Sequence, residues 1–165
     1  AWVLAYADQR ERSLRESDAA IALARRGPYP VDLSTALSNS AVTCAMLGRM
    51  EEALRRHRDG MQLLEDRPVD ALSRAIDETT MGALLTEIGA LGEALPWLER
   101  AWQAGRTRPR EYWSMLAAGN LAYLWLLLGQ PARAHGLMAD AFDDAAPVLR
   151  GATLRLRLMR ALGQD

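Results

Sequence analysis

Hydrophobic positions recur three or four residues apart along almost the whole chain. In "LSTALSNSAVTCAML" they fall at Leu33, Leu37, Ala41, Cys44 and Leu47, and in a later segment at Leu91, Leu95, Leu98 and Trp102. That spacing places one apolar stripe along a helix, and no stretch alternates with the period of two that a strand requires. The pattern predicts nine helices, over 1-8, 10-26, 31-47, 50-65, 69-88, 91-106, 110-128, 131-145 and 148-162.

The stripes repeat as a block. Gly48, Gly89 and Gly129 are 41 and 40 residues apart, and Ala53, Ala94 and Ala134 follow at the same steps, with Ser13 one step earlier. A second small position recurs as Ala20, Gly60, Ala101 and Ala141, each followed by a large apolar residue: Ile21, Met61, Trp102 and Phe142. Pro28, Pro68 and Pro109 keep the same phase and separate successive segments. A glycine inside a helix costs about 1 kcal/mol relative to alanine, so Gly60 implies a close approach between two helix backbones. The predicted unit is an antiparallel helix pair with a glycine turn inside it and a proline after it.

Such pairs resemble the tetratricopeptide repeat, whose pattern runs W-x2-L-G-x2-Y, A-x3-F and then P over about 34 residues. The Leu-Gly-x2-Tyr portion reads here as Ser40-Ala41-x2-Cys44, Met81-Gly82-x2-Leu85 and Leu121-Ala122-x2-Trp125. The Ala-x3-Phe portion reads as Ala53-x3-His57, Ala94-x3-Leu98 and Ala134-x3-Met138. The longer period adds close to two helical turns, which keeps each buried stripe facing its partner. In this it is similar to the long-helix variant in sensor regions of bacterial transcription and signalling regulators.

The resemblance implies an all-α, right-handed superhelical solenoid of about four and a half repeats, a single domain divided near 1-28, 29-68, 69-109, 110-147 and 148-165. It implies a protein- or peptide-binding scaffold, with the ligand on the concave face lined by the first helix of each pair. Off-stripe positions on those helices form three rows: Asn39, Thr80 and Asn120; Val42, Ala83 and Tyr123, with Trp2 at the cut end; Tyr6, Met46, Glu87 and Leu127. An asparagine carboxamide both donates and accepts, which suits it to a peptide backbone of any sequence. The alternative is a spacer or self-association module with no specific ligand on that face. Ala1 corresponds in phase to Ala41, so the chain is expected to be a piece of a longer array. Its last helix is expected to cap the array or to offer Leu154, Leu158 and Leu162 to a partner, another copy included.

Composition narrows the chemistry. The net charge of -1 arises from 20 basic and 21 acidic residues, which favours neither nucleic acid nor an anionic membrane surface. Every basic residue is arginine, which excludes lysine chemistry. Cys44 has no second cysteine to pair with, so an intracellular, cytoplasmic setting is expected, and with His57 and His135 it makes no usual zinc site. The run from Leu121 to Leu128 is too short to span a bilayer. The pairs Glu51-Glu52, Asp77-Glu78 and Asp143-Asp144 point around a helix and are read as solvated or capping, and His57 and His135 as packing or half-exposed positions. Arginines at 106, 108 and 110, and at 150, 155, 157 and 160, lack the interleaved aromatics of a base-stacking surface. No enzymatic activity, cofactor or metal is expected.

Overall fold

The computed structural model describes residues 9-106 and 112-142, and every regular element among them is helical. Seven helices occur: α1 (Arg10–Ala24), α2 (Pro30–Met46), α3 (Met50–Gln62), α4 (Ala71–Glu87), α5 (Leu91–Gly105), α6 (Tyr112–Leu127) and α7 (Pro131–Phe142). Each begins and ends within three residues of its expected bounds. The expected first and ninth helices, at 1-8 and 148-162, lie outside the described residues. The chain divides into two compact units, Ala1–Asp70 and Ala71–Asp165, two residues past the repeat boundary expected at 68/69.

The three glycines at 40- and 41-residue steps make the same turn. Gly48, Gly89 and Gly129 have φ of 76°, 79° and 70°, a left-handed conformation that costs other residues about 1–2 kcal/mol. In each, the glycine N–H donates to the carbonyl three residues back and the next N–H to the carbonyl five residues back. The pairs are Gly48 to Ala45 and Arg49 to Cys44, Gly89 to Thr86 and Ala90 to Leu85, Gly129 to Leu126 and Gln130 to Trp125. This satisfies the last carbonyls of α2, α4 and α6 and reverses the chain into the following helix. The starts are marked differently. Pro30 and Pro131 stand in first helical positions, where their missing N–H costs nothing, and Glu51, Glu52 and Glu93 put negative charge at the first turns of α3 and α5.

In the first unit α2 packs on both α1 and α3. Leu14 and Ile21 of α1, Leu37, Ala41 and Cys44 of α2, and Ala53 and Leu54 of α3 form its core. Buried hydroxyls are matched locally: Ser17 donates to the Ser13 carbonyl at 2.9 Å, and the Ser13 and Thr43 hydroxyls share a hydrogen bond at 3.2 Å across α1 and α2. In the second unit α4 packs on α5 and α6, α5 on α6, and α6 on α7. Covered from three sides, α6 buries ten of its sixteen residues, as expected of a helix apolar all round.

The small positions are contact points. Ser13, Ala53, Ala94 and Ala134 are all at most 2% exposed. A Cβ on Gly60 would lie 3.2 Å from the Ser34 carbonyl and 3.3 Å from the Leu37 Cβ, so α3 meets α2 there at backbone distance. Gly105 approaches Ser114 in the same way, 3.1 Å from its Cα. Ala101 and Ala141 are buried at the phase of Gly60, whereas Ala20 at the same phase of α1 is exposed.

Candidate functional site

The sequence-predicted rows fall on α2 in the first unit and on α4 and α6 in the second. Asn39, Val42 and Met46 are half-buried on α2. Thr80 and Ala83 are half-buried and Glu87 exposed on α4; Asn120 is 8% exposed, Tyr123 half-buried and Leu127 42% exposed on α6. Because α4 and α6 pack directly, their rows lie on neighbouring helices. The α6 row grades from buried at Asn120 to open at Leu127, and the α4 row from half-buried at Thr80 to open at Glu87. Tyr6 and Trp2 lie outside the described residues.

Hydrogen bonding narrows what the polar members can offer. The Thr80 hydroxyl donates to the Ile76 carbonyl at 3.0 Å, and Asn120 Nδ2 donates to the Leu116 carbonyl at 2.8 Å. Both bonds run back one turn within their own helix, so they satisfy the donor locally. The apolar and exposed members of the rows, Tyr123, Leu127 and Glu87, remain the parts turned to contact.

Two clusters were not anticipated from sequence. In the first unit Arg56, its side chain 13% exposed, donates Nε and Nη2 to Glu52 Oε1 at 3.0 and 2.7 Å, and also reaches Asp18 on α1 and Ser40 on α2. One guanidinium therefore ties three helices. Burial alone would lower its pKa, but the hydrogen bonds to Asp18 and Glu52 outweigh that and raise it. Burial pushes the neighbouring Cys44 thiol above its ordinary 9.0, against the pull of Arg56. The thiol is therefore protonated and inert near neutrality.

Glu78, expected to be solvated, is 8% exposed and accepts from Arg100 Nε at 2.9 Å. The reason is packing: the α4–α5 contact covers its position, and an uncovered arginine on α5 supplies the counter-charge. Of the other acidic pairs, Glu51 is exposed, Glu52 holds Arg56, and Asp143-Asp144 lies outside the described residues. His57 is fully buried and His135 exposed. Among the described residues no group of three or more His, Cys, Asp or Glu is gathered as metal ligands would be, and no helix is long and apolar enough to cross a membrane.

A cleft of about 730 Å³ opens in the second unit on the side of the second helices. α5 and α7 do not pack together, and α6 forms the floor between them. α5 contributes Pro96, Glu99, Arg100, Trp102 and Gln103, α6 contributes Leu121 and Trp125, and α7 contributes Arg133, Leu137 and Asp140. The Arg100 guanidinium lies over the Trp97 ring at 4.4 Å and that of Arg133 over the Trp125 ring at 4.6 Å. Sequence reasoning assigned these second helices to packing. The available signal was the stripe Pro96, Glu99, Gln103 on α5 and Arg133, Leu137, Asp140 on α7, each at helical spacing.

No family model and no curated protein matches the sequence. Among solved structures the chain is similar to a kinesin-light-chain-like protein from Podosopora anserina built of nearly identical TPR-like repeats. The TM-score is 0.74 at 14% identity, over 98% of this chain and 81% of that one. A point variant of the same protein gives 0.74 at 15% identity with the same coverage. The fold is that of TPR-like helical repeats.

Proposed function

We propose that this chain is a scaffold that takes protein or peptide partners on the first-helix faces of its two units, through Tyr6, Asn39, Val42 and Met46 in the first and through Thr80, Ala83, Glu87, Asn120, Tyr123 and Leu127 in the second. TPR-like repeats are typically interaction modules, and this reading extends that role to the rows on α2, α4 and α6. The observation that carries it is Leu127, an apolar side chain 42% exposed at the open end of a row that continues through half-buried Tyr123. Water is a poor neighbour for such a side chain, and a partner's apolar group would replace it.

We place the chain further as the partner-sensing region of a cytoplasmic bacterial transcription or signalling regulator. The reading is supported by the lengthened repeat period and by the exclusive use of arginine among basic residues.

The test is selection of a random peptide library on the immobilised chain, followed by anisotropy titration of the enriched peptides. Tyr123→Ala and Leu127→Ser are expected to weaken their binding about tenfold each, with the helical circular dichroism unchanged. Failure to enrich any peptide, or enrichment insensitive to both substitutions, would leave the spacer reading in place.

A further inference from the structure

The cleft between α5 and α7 has features that the first-helix reading does not use. Its floor, Leu121 and Trp125, is buried, and the apolar side chains that open onto it are Pro96, Trp102 and Leu137 on the walls. The walls carry four charges of unequal standing. Arg100 is matched by Glu78 at 2.9 Å, and the Arg133 guanidinium is held over the Trp125 ring. Glu99 on one wall and Asp140 on the other are exposed carboxylates with no ion-pair partner among the described residues. They sit on facing walls, Glu99 on α5 and Asp140 on α7. The cleft therefore presents two carboxylates on facing walls, and a half-buried indole, that of Trp102, also lines it.

We propose that this cleft is a second docking site, for a short amphipathic segment of a partner protein that presents leucine-like side chains to Pro96, Trp102 and Leu137 and arginine or lysine to Glu99 and Asp140. A cationic head gains the two carboxylates, and the aromatic side chains of the cleft suit a cation, as the guanidinium already held on Trp125 shows. An acidic segment would meet Glu99 and Asp140 with like charge, and would find one guanidinium not matched by a carboxylate, that of Arg133.

Fluorescence anisotropy of the full chain tests this with two labelled probes, a short amphipathic peptide of leucine and arginine and its twin with glutamate in place of every arginine. The arginine peptide is expected to bind at least about tenfold more tightly than its twin, and Glu99→Gln with Asp140→Asn to remove most of that preference. Replacing the exposed pair Glu65 and Asp66 of the first unit by Gln and Asn changes net charge equally and is expected to leave the preference intact. Equal binding of the two probes, tighter binding of the acidic one, or equal loss in both double variants would overturn the proposal. Failure here leaves the first-helix reading standing, because that reading is scored on Tyr123 and Leu127 and this one on Glu99 and Asp140.

Discussion

At the scale of the residue, two of the buried helical glycines, Gly60 and Gly82, separate two uses of a missing side chain. Alanine improves the intrinsic propensity of a helix interior by about 1 kcal/mol over glycine. At Gly60 an added Cβ would stand 3.2 Å from the Ser34 carbonyl and 3.3 Å from the Leu37 Cβ, a tight fit that a few tenths of an ångström relieve. At Gly82 it would overlap the Leu98 side chain, 2.6 Å from Cδ2 and closer still to Cγ, with the Leu98 backbone nitrogen at 3.3 Å. Leu98 is fully buried and has no open side to move into. Overpacking of that kind costs about 1–3 kcal/mol, which exceeds the propensity gain. Gly82→Ala is therefore expected to lower stability by about 1–2 kcal/mol in urea titration, whereas Gly60→Ala stays within about 0.5 kcal/mol of the parent. A Gly60→Ala loss as large as that of Gly82→Ala would show that the α2–α3 seam cannot relax.

At the scale of the element, the turns were the most legible feature and the side-chain network the least. Gly48, Gly89 and Gly129 announce themselves by period alone, and each proves to be a left-handed cap with the same two hydrogen bonds. Nothing lies within 4 Å of a Cβ added at any of them, so the requirement is conformational and not steric. Gly89→Ala is expected to destabilise by about 1 kcal/mol, and Gly89→Asn by less, because asparagine tolerates the left-handed region better. Thermal denaturation monitored at 222 nm checks the order. Glu78 and Arg56 show why the network was harder to read. Their partners lie on other helices, Arg100 on α5 for Glu78, and Asp18 on α1 and Ser40 on α2 for Arg56, at separations that carry no periodic signal. Only Glu52–Arg56, four apart on α3, was visible as a local pair. The first-helix rows of the second unit lie on the neighbouring helices α4 and α6. That Asn120 and Thr80 turn their donors inward was not legible, because the choice between a ligand and the carbonyl one turn back leaves no mark on residue type.

At the scale of the molecule, the repeat makes every described helix contact local. Within the first unit α2 packs on its two chain neighbours, and within the second the longest step is from α4 to α6. The same locality explains the cleft. The first helices α4 and α6 close on one another, while the second helices α5 and α7 are held apart by α6, so a groove on the second-helix side follows from the topology before any side chain is chosen. Short sequence separations also mean that little loop entropy opposes folding, and helical proteins of low relative contact order fold in microseconds to milliseconds. Refolding from urea by stopped-flow fluorescence, read on the five tryptophans, is expected to be complete for the main phase within about 10 ms. Slow phases, if present, should belong to the seven prolines and accelerate with a prolyl isomerase. A dominant phase of seconds that a prolyl isomerase does not shorten would mean that contacts much longer in sequence than α4 to α6 limit folding.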